Sequence, residues 1–182
     1  MTTKEIKIGG LGGQGVILSG MIIGKAAALF DNKHATMTQA FGPEARGSAC
    51  SAQLIVSDDA VLYPYVNRPE ILVTMSQDAY AKFTPALADG GLLLIEEELV
   101  KVDDPPPNNA KVYGIPATRI AEELGRKLVL NIVMVGFFTA IAKLIEPDAM
   151  RKAVEASVPP GTERLNLSAF DKGFEHGQSL LA

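Results

Sequence analysis

Hydrophobic and polar positions alternate from the start of the chain. Glu5-Ile6-Lys7-Ile8 places an apolar side chain at every second position, the period of a strand with one buried face. The run enters a glycine cluster, Gly9 to Gly15, and leaves it into small and apolar residues over 16–30 that suit a helix. A second strand is expected over 33–38, followed by a loop over 39–47. Residues 51–56 read as a strand leading to a turn at Ser57-Asp58-Asp59, with a short return strand at 60–62 before Pro64. The β-branched content of 70–75 marks a buried strand. Ser76-Gln77-Asp78 starts a helix that runs to about residue 88, and Asp89-Gly90-Gly91 ends it.

Beyond this point the same two periods alternate. Residues 92–95 form an apolar strand closed by Glu96, Glu97 and Glu98, read as a solvated edge. Three consecutive prolines exclude helix and central strand from 103–109. A late strand is expected over 111–115 and helices over 117–124, 131–145 and 147–157. After Pro159-Pro160-Gly161 a final helix covers 162–180. Strands alternating with helices predict an α/β, Rossmann-like fold: a mostly parallel sheet with helices on both faces, in a single domain over 1–182.

Gly10, Gly12 and Gly15 fit the spacing G-x-G-x-x-G between a strand and a helix. Glycine there permits a tight turn and close backbone approach to an anion, and the helix N-terminus adds partial positive charge. A dinucleotide site would also need Asp or Glu at the end of the second strand to hold the ribose. That strand is followed by Gln39, Asp31 precedes it, and Glu44 falls in the next loop. The fold signal stands while the nicotinamide signal fails.

Three segments, in order, carry a family resemblance: Gly10-Leu11-Gly12-Gly13-Gln14-Gly15, then Gly42-Pro43-Glu44-Ala45-Arg46-Gly47-Ser48, then Asn131-Ile132-Val133-Met134-Val135-Gly136. Together with Leu165-Asn166-Leu167-Ser168-Ala169-Phe170-Asp171-Lys172-Gly173-Phe174, they resemble the gamma subunit of the 2-oxoacid:ferredoxin oxidoreductases from residue 5 to about 177. Ser48 stands where that family usually has a second glycine. The resemblance implies a subunit of a heteromeric enzyme that converts a 2-oxoacid and coenzyme A to acyl-CoA and carbon dioxide, with electrons passed to ferredoxin. It implies alpha and beta subunits that bear thiamine diphosphate, and Fe-S clusters on a ferredoxin-like subunit or ferredoxin. Pyruvate and 2-oxoglutarate enzymes share these signatures, with a preference here for 2-oxoglutarate.

The candidate site residues are Gly10, Gly12, Gly13, Gln14, Gly15, Glu44, Arg46 and Asn131. The glycines either seat an anion or only let helix pack on strand. The Gln14 amide either donates to phosphate or pins a neighbouring loop. Glu44 and Arg46 form an exposed ion pair, dock a partner subunit, or present Arg46 as a fork for phosphate or carboxylate. Asn131 reads as a helix N-cap, and the resemblance adds that its loop faces the cofactor side. Coenzyme A is the ligand such a seat would take, and no catalytic residue is assigned to this chain.

Composition narrows the alternatives. A formal charge of −4 and pI near 5.2 give no footprint for nucleic acid. Asn131 and Lys143 interrupt the longest apolar stretch, so no membrane span is expected, and the N-terminus lacks the layout of a signal peptide. One cysteine provides no disulfide framework and cannot by itself hold an Fe-S cluster, in keeping with a cytoplasmic location. Cys50 reads as a buried, inert thiol. His34 and His176 have no companions at metal-ligand spacing, so no metal is expected. No G-D-G…N segment is present to hold a magnesium-bound diphosphate. Mean hydropathy of +0.16 with 21% charged residues favours a chain that buries apolar surface against partners, or dimerises when alone. The alternative is a stand-alone nucleotide-binding or regulatory module without catalysis.

Overall fold

The computed structural model describes residues 2–42 and 49–182. In chain order the elements are β1 (Thr3–Leu11), α1 (Val16–Lys25) running into a π-helical turn (Ala26–Phe30), β2 (His34–Phe41), β3 (Ala49–Ser57), β4 (Ile71–Thr74), α2 (Gln77–Phe83), β5 (Leu92–Glu96), β6 (Lys111–Ile115), α3 (Ala117–Glu123), α4 (Leu130–Ala142), α5 (Pro147–Glu155) and α6 (Glu163–Leu181). The six strands make one sheet in the order β2-β3-β1-β4-β5-β6. β1, β4, β5 and β6 are parallel neighbours, whereas β3 runs antiparallel to both β1 and β2. Only β3 is reversed, so the sheet is mostly parallel, as expected.

That reversed strand explains the missing acid. In a dinucleotide-binding sheet the second strand lies beside the first. Here β2 and β3 form a hairpin, and β3 takes the place beside β1. The end of β2 is thus one strand removed from the glycine turn.

Both faces of the sheet carry helices, unequally. Ile6, Ile8, Leu54, Val56, Ile71 and Val73 point to one face, where they pack with residues of α1, α3, α4, α5 and α6. Leu72, Leu93 and Ile95 point to the other, under Tyr80, Phe83 and Leu87. Burial of about 1.5–3 kcal/mol per large apolar side chain makes the first cluster the main stabilising body.

α4 is buried along nearly its whole length, from Asn131 to Ile141. It is covered by α6 at unusually close range. A side chain on Gly136 would meet the Phe170 carbonyl, and one on Gly173 would meet the Val133 carbonyl. The two glycines therefore lie backbone against backbone, and no other residue type fits either position without parting the helices.

Several local expectations need correction. The strand at 60–62 is absent: the chain between β3 and β4 has no regular structure there, and Leu62 is 94% exposed. β1 is already flanked by β3 and β4, which leaves no open edge for a further strand beside it. β2 extends through Phe41, because 39–41 pair with 50–52 rather than looping. Glu96 is no solvated edge residue; it is fully buried. Its carboxylate accepts from the backbone N–H groups of Glu98 (3.1 Å), Leu99 (2.7 Å) and Thr118 (3.0 Å), tying the turn after β5 to the start of α3. The helix expected to 88 ends at Phe83, with a 3-10 turn over Thr84–Ala86 at Pro85. The one expected to 145 ends at Ala142, where Lys143 turns left-handed (φ 50°).

Gly173→Val drives branched methyls into the α4 backbone. We expect a loss of about 3 kcal/mol or more, the upper end of overpacking costs. Thermal unfolding should show a fall of roughly 6–12 °C in Tm. A Tm within about 2 °C of wild type, the size of a typical surface substitution, would contradict the close approach.

Candidate functional site

The C-terminal ends of the parallel strands and the end of β2 lie along one edge of the sheet, and the glycine turn sits in the middle of it. β1 leads to the turn at Leu11 and α1 leaves it at Val16. α1 then packs on the larger core face, whereas α2, which follows the adjacent β4, packs on the other. The crevice between β1 and β4 is therefore the switch point of the sheet, the place where open α/β folds bind ligands.

Gln14 spans that crevice. Its backbone N–H donates to the Leu11 carbonyl (3.1 Å), and its Oε1 accepts from the Leu11 N–H (2.7 Å). Its Nε2 donates to the Met75 carbonyl at the end of β4 (2.8 Å). Of the two roles open to this amide, pinning the neighbouring segment is the one the geometry displays. A side chain on Gly10 would press on Gln14 Oε1 at 2.6 Å, so Gly10 makes room for the folded-back amide. Met75 as the acceptor left no sequence signal, because any residue supplies a carbonyl.

The remaining glycines divide by backbone geometry. Gly13 and Gly15 both lie in the left-handed region, with φ of 96° and 75°. Gly15 is the N-cap of α1, and its carbonyl accepts from both the backbone N–H of Ser19 (2.9 Å) and the Ser19 hydroxyl (3.0 Å). A Cβ on Gly15 would lie 2.6 Å from the Asn131 side chain. Gly12 lies in the same turn.

Asn131 is not the N-cap of its helix. Val129 holds that position, after a 3-10 turn at Lys127–Val129, and Asn131 is the second residue of α4. At 3% exposure its amide is packed against Gly15. The chain thus brings two distant segments together, 10–15 and 131, as the sequence reading grouped them. Glu44 and Arg46 lie outside the described residues. The ends of their loop are defined, however: the Gly42 N–H donates to the Ala49 carbonyl (2.9 Å), and Ala49 pairs with Leu11. The hairpin therefore opens beside the glycine turn.

Around the glycine turn the side chains of Gln14, Ser19 and Asn131 are neutral hydrogen-bonding groups. They can bind and orient a ligand but offer no acid, base or nucleophile. The start of α1 adds N–H groups without intrahelical acceptors and has no acidic residue in its first turn. Cys50 faces Gly10 across the β1–β3 ladder and is buried, and burial pushes its thiol up, away from the reactive thiolate. Among the described residues no three metal-ligating side chains cluster, and no helix is long and apolar enough to cross a membrane.

Replacing Gln14 by Leu strands the Leu11 N–H and the Met75 carbonyl. We expect a loss of about 1–2 kcal/mol, read by urea unfolding. An unchanged midpoint would show that the amide bridge does not hold β1 to β4. Gly15→Ala should cost more, since it adds left-handed strain to a collision with Asn131.

Comparison with known proteins places this arrangement in a family context. The model of the pyruvate ferredoxin/flavodoxin oxidoreductase family matches residues 5–176. The 2-oxoglutarate synthase subunit KorC of Methanocaldococcus jannaschii is 47% identical over 178 residues, covering 97% of this chain and 95% of that protein. The crystal structure of the keto/oxoacid ferredoxin oxidoreductase gamma subunit from Geobacter sulfurreducens matches with a TM-score of 0.87 and 34% identity, covering 98% of each chain. The 2-oxoglutarate:ferredoxin oxidoreductase from Magnetococcus marinus, solved with 2-oxoglutarate, coenzyme A and succinyl-CoA bound, matches with a TM-score of 0.88. At 20% identity over 32% of that chain, this last likeness is one of fold.

Proposed function

The chain belongs to the pyruvate ferredoxin/flavodoxin oxidoreductase family, and we propose that it is the gamma subunit of a heteromeric 2-oxoglutarate:ferredoxin oxidoreductase in the cytoplasm. The similarity to KorC along almost the full length of both chains carries this reading. The overall reaction joins the acyl residue of a 2-oxoacid to coenzyme A, releases carbon dioxide and passes two electrons to ferredoxin. Thiamine diphosphate, held by alpha and beta subunits, supplies the electron sink. Fe-S clusters, on a ferredoxin-like subunit or ferredoxin, accept the electrons. The amides of Gln14 and Asn131 beside the glycine turn fit a share in binding rather than in bond making.

That share is the coenzyme A side. Gly12, Gly13, Gly15 and the N-terminus of α1 offer backbone N–H groups at the switch point, while Gln14 pins the turn to Met75, with Gly10 giving it room. Asn131 closes the floor, and the loop bearing Glu44 and Arg46 springs from beside it. Phosphate groups are the part of coenzyme A that such donors recognise, and Arg46 would add a charged fork.

Two experiments test the two levels separately. The purified chain alone should show neither 2-oxoacid:ferredoxin activity nor Fe-S absorbance, and activity should return on reconstitution with its partner subunits. Partner subunits that are fully active without it would instead favour the stand-alone module. In the reconstituted complex, Arg46→Ala should raise KM for coenzyme A by roughly 10- to 150-fold, the equivalent of one charge-assisted contact, with little change in KM for 2-oxoglutarate. An intact complex with unchanged coenzyme A kinetics would leave the loop a docking or structural role.

A further inference from the structure

β2 is the outer strand of the sheet and pairs on one side only, with β3. The register shows which of its backbone groups are left over. The bond from Gly42 to Ala49 continues the β2–β3 ladder, and in an antiparallel pair only alternate residues bond across. His34, Thr36, Thr38 and Ala40 therefore turn their N–H and C=O groups to β3. Ala35, Met37, Gln39 and Phe41 turn theirs to the open edge.

Exposed edges are usually guarded by lysine, proline, bulges or short length. The opposite edge strand, β6, follows that rule: it has five residues, begins with Lys111 and is followed by Pro116. Glu97 packs over its Gly114, and a ring nitrogen of His176 lies 3.2 Å from the Gly114 carbonyl. β2 has eight residues, with no proline, lysine or acid among them. Beside it, between α1, the π-helical turn and the strand, lies a mostly apolar hollow of about 300 Å³, lined by Met21, Ala28, Leu29, Ala35 and Met37 with Lys25 among them. Leu29 is 67% exposed and Phe41 66%.

We propose that β2 pairs antiparallel with β2 of a second copy of this chain, joining two six-stranded sheets into one across a two-fold axis at Thr38. An unpaired row of N–H and C=O groups calls for an extended strand as its partner, and this strand is its own complement. With Thr38 opposite Thr38, Ala35 meets Phe41 and Met37 meets Gln39, so every outward-facing residue finds an outward-facing partner. A two-fold axis normal to the sheet keeps the α1 faces of both copies on the same side. The apolar hollows and the Leu29 side chains then flank the axis together, where each covers the other. The lysines near the strand are engaged within each copy, Lys25 donating to the Ser157 hydroxyl at 3.3 Å. Asp31 and Lys33, just before the strand, are paired with each other at 2.6 Å, and like strands otherwise meet without repulsion.

The test uses the full chain, alone and in its purified complex. The wild-type chain should sediment at twice 19.3 kDa. Gln39→Pro removes an outward N–H and leaves the β3 ladder intact, and Leu29→Glu charges the apolar patch. Each should raise the dimer dissociation constant by at least about thirtyfold, with the far-UV circular dichroism spectrum of the folded chain unchanged. Thr38→Cys places two thiols opposite each other in a non-hydrogen-bonded pair, where Cα atoms lie about 4.5 Å apart, within disulfide range. Mild oxidation should link two copies of this chain, in isolation and in the complex, and the buried Cys50 should give no background. A monomeric wild-type chain, variants that stay dimeric, or a Thr38→Cys link to a different subunit would each overturn the proposal.

Discussion

The backbone contact between α4 and α6 is the constraint on which the candidate site depends. Gly136 and Gly173 let the two helices close to a distance at which carbonyls stand where side chains would be. With α6 pressed over it, α4 is enclosed on all sides: Met134 and Phe138 face Ile8 and Val73 of the sheet, and Phe137 packs against His176 and Gly177 of α6. A helix fixed in this way has a fixed N-terminus. That terminus carries Asn131, whose amide meets Gly15 so closely that a Cβ on Gly15 is excluded. Gly15 in turn begins α1 in a left-handed conformation, and the turn it closes contains Gln14, which ties β1 to β4. The geometry of the glycine-turn edge is thus set by a helix pair near the other end of the chain.

This chain of contacts gives physical meaning to the signature segments. The glycine that ends Asn131 to Gly136 and the one inside Asp171-Lys172-Gly173-Phe174 are packing partners, and the asparagine of the first segment touches the glycine turn. Asn131, which sequence reading grouped with Gly10 to Gly15, lies against Gly15, and the strand at Lys111–Ile115 matched its expected limits. It misassigned the Asn131 role because an asparagine before an apolar helix resembles an N-cap, and nothing local announces a preceding 3-10 turn. Glu96 was hidden for a similar reason. Three consecutive acids look solvated, and only the register at the end of β5 shows that the first of them points inward to three backbone donors. The reversed direction of β3 was equally out of reach, since strand periodicity carries no sign. What failed to fit, the missing acid after the second strand, was the trace that this reversal left in the sequence.

The reversed strand also separates two surfaces of the chain. By inserting β3 between β1 and β2, the fold moves β2 to the margin and brings a hairpin mouth beside the glycine turn. A parallel second strand would have left there the end of a strand bearing a ribose-binding acid. The hairpin instead puts its mouth, Gly42 bonded to Ala49, at the same edge. Binding at this edge and pairing at the β2 margin then draw on different backbone groups. The outward groups of β2 lie at 35, 37, 39 and 41, whereas the turn uses those of residues 11–15. One edge can be occupied without the other.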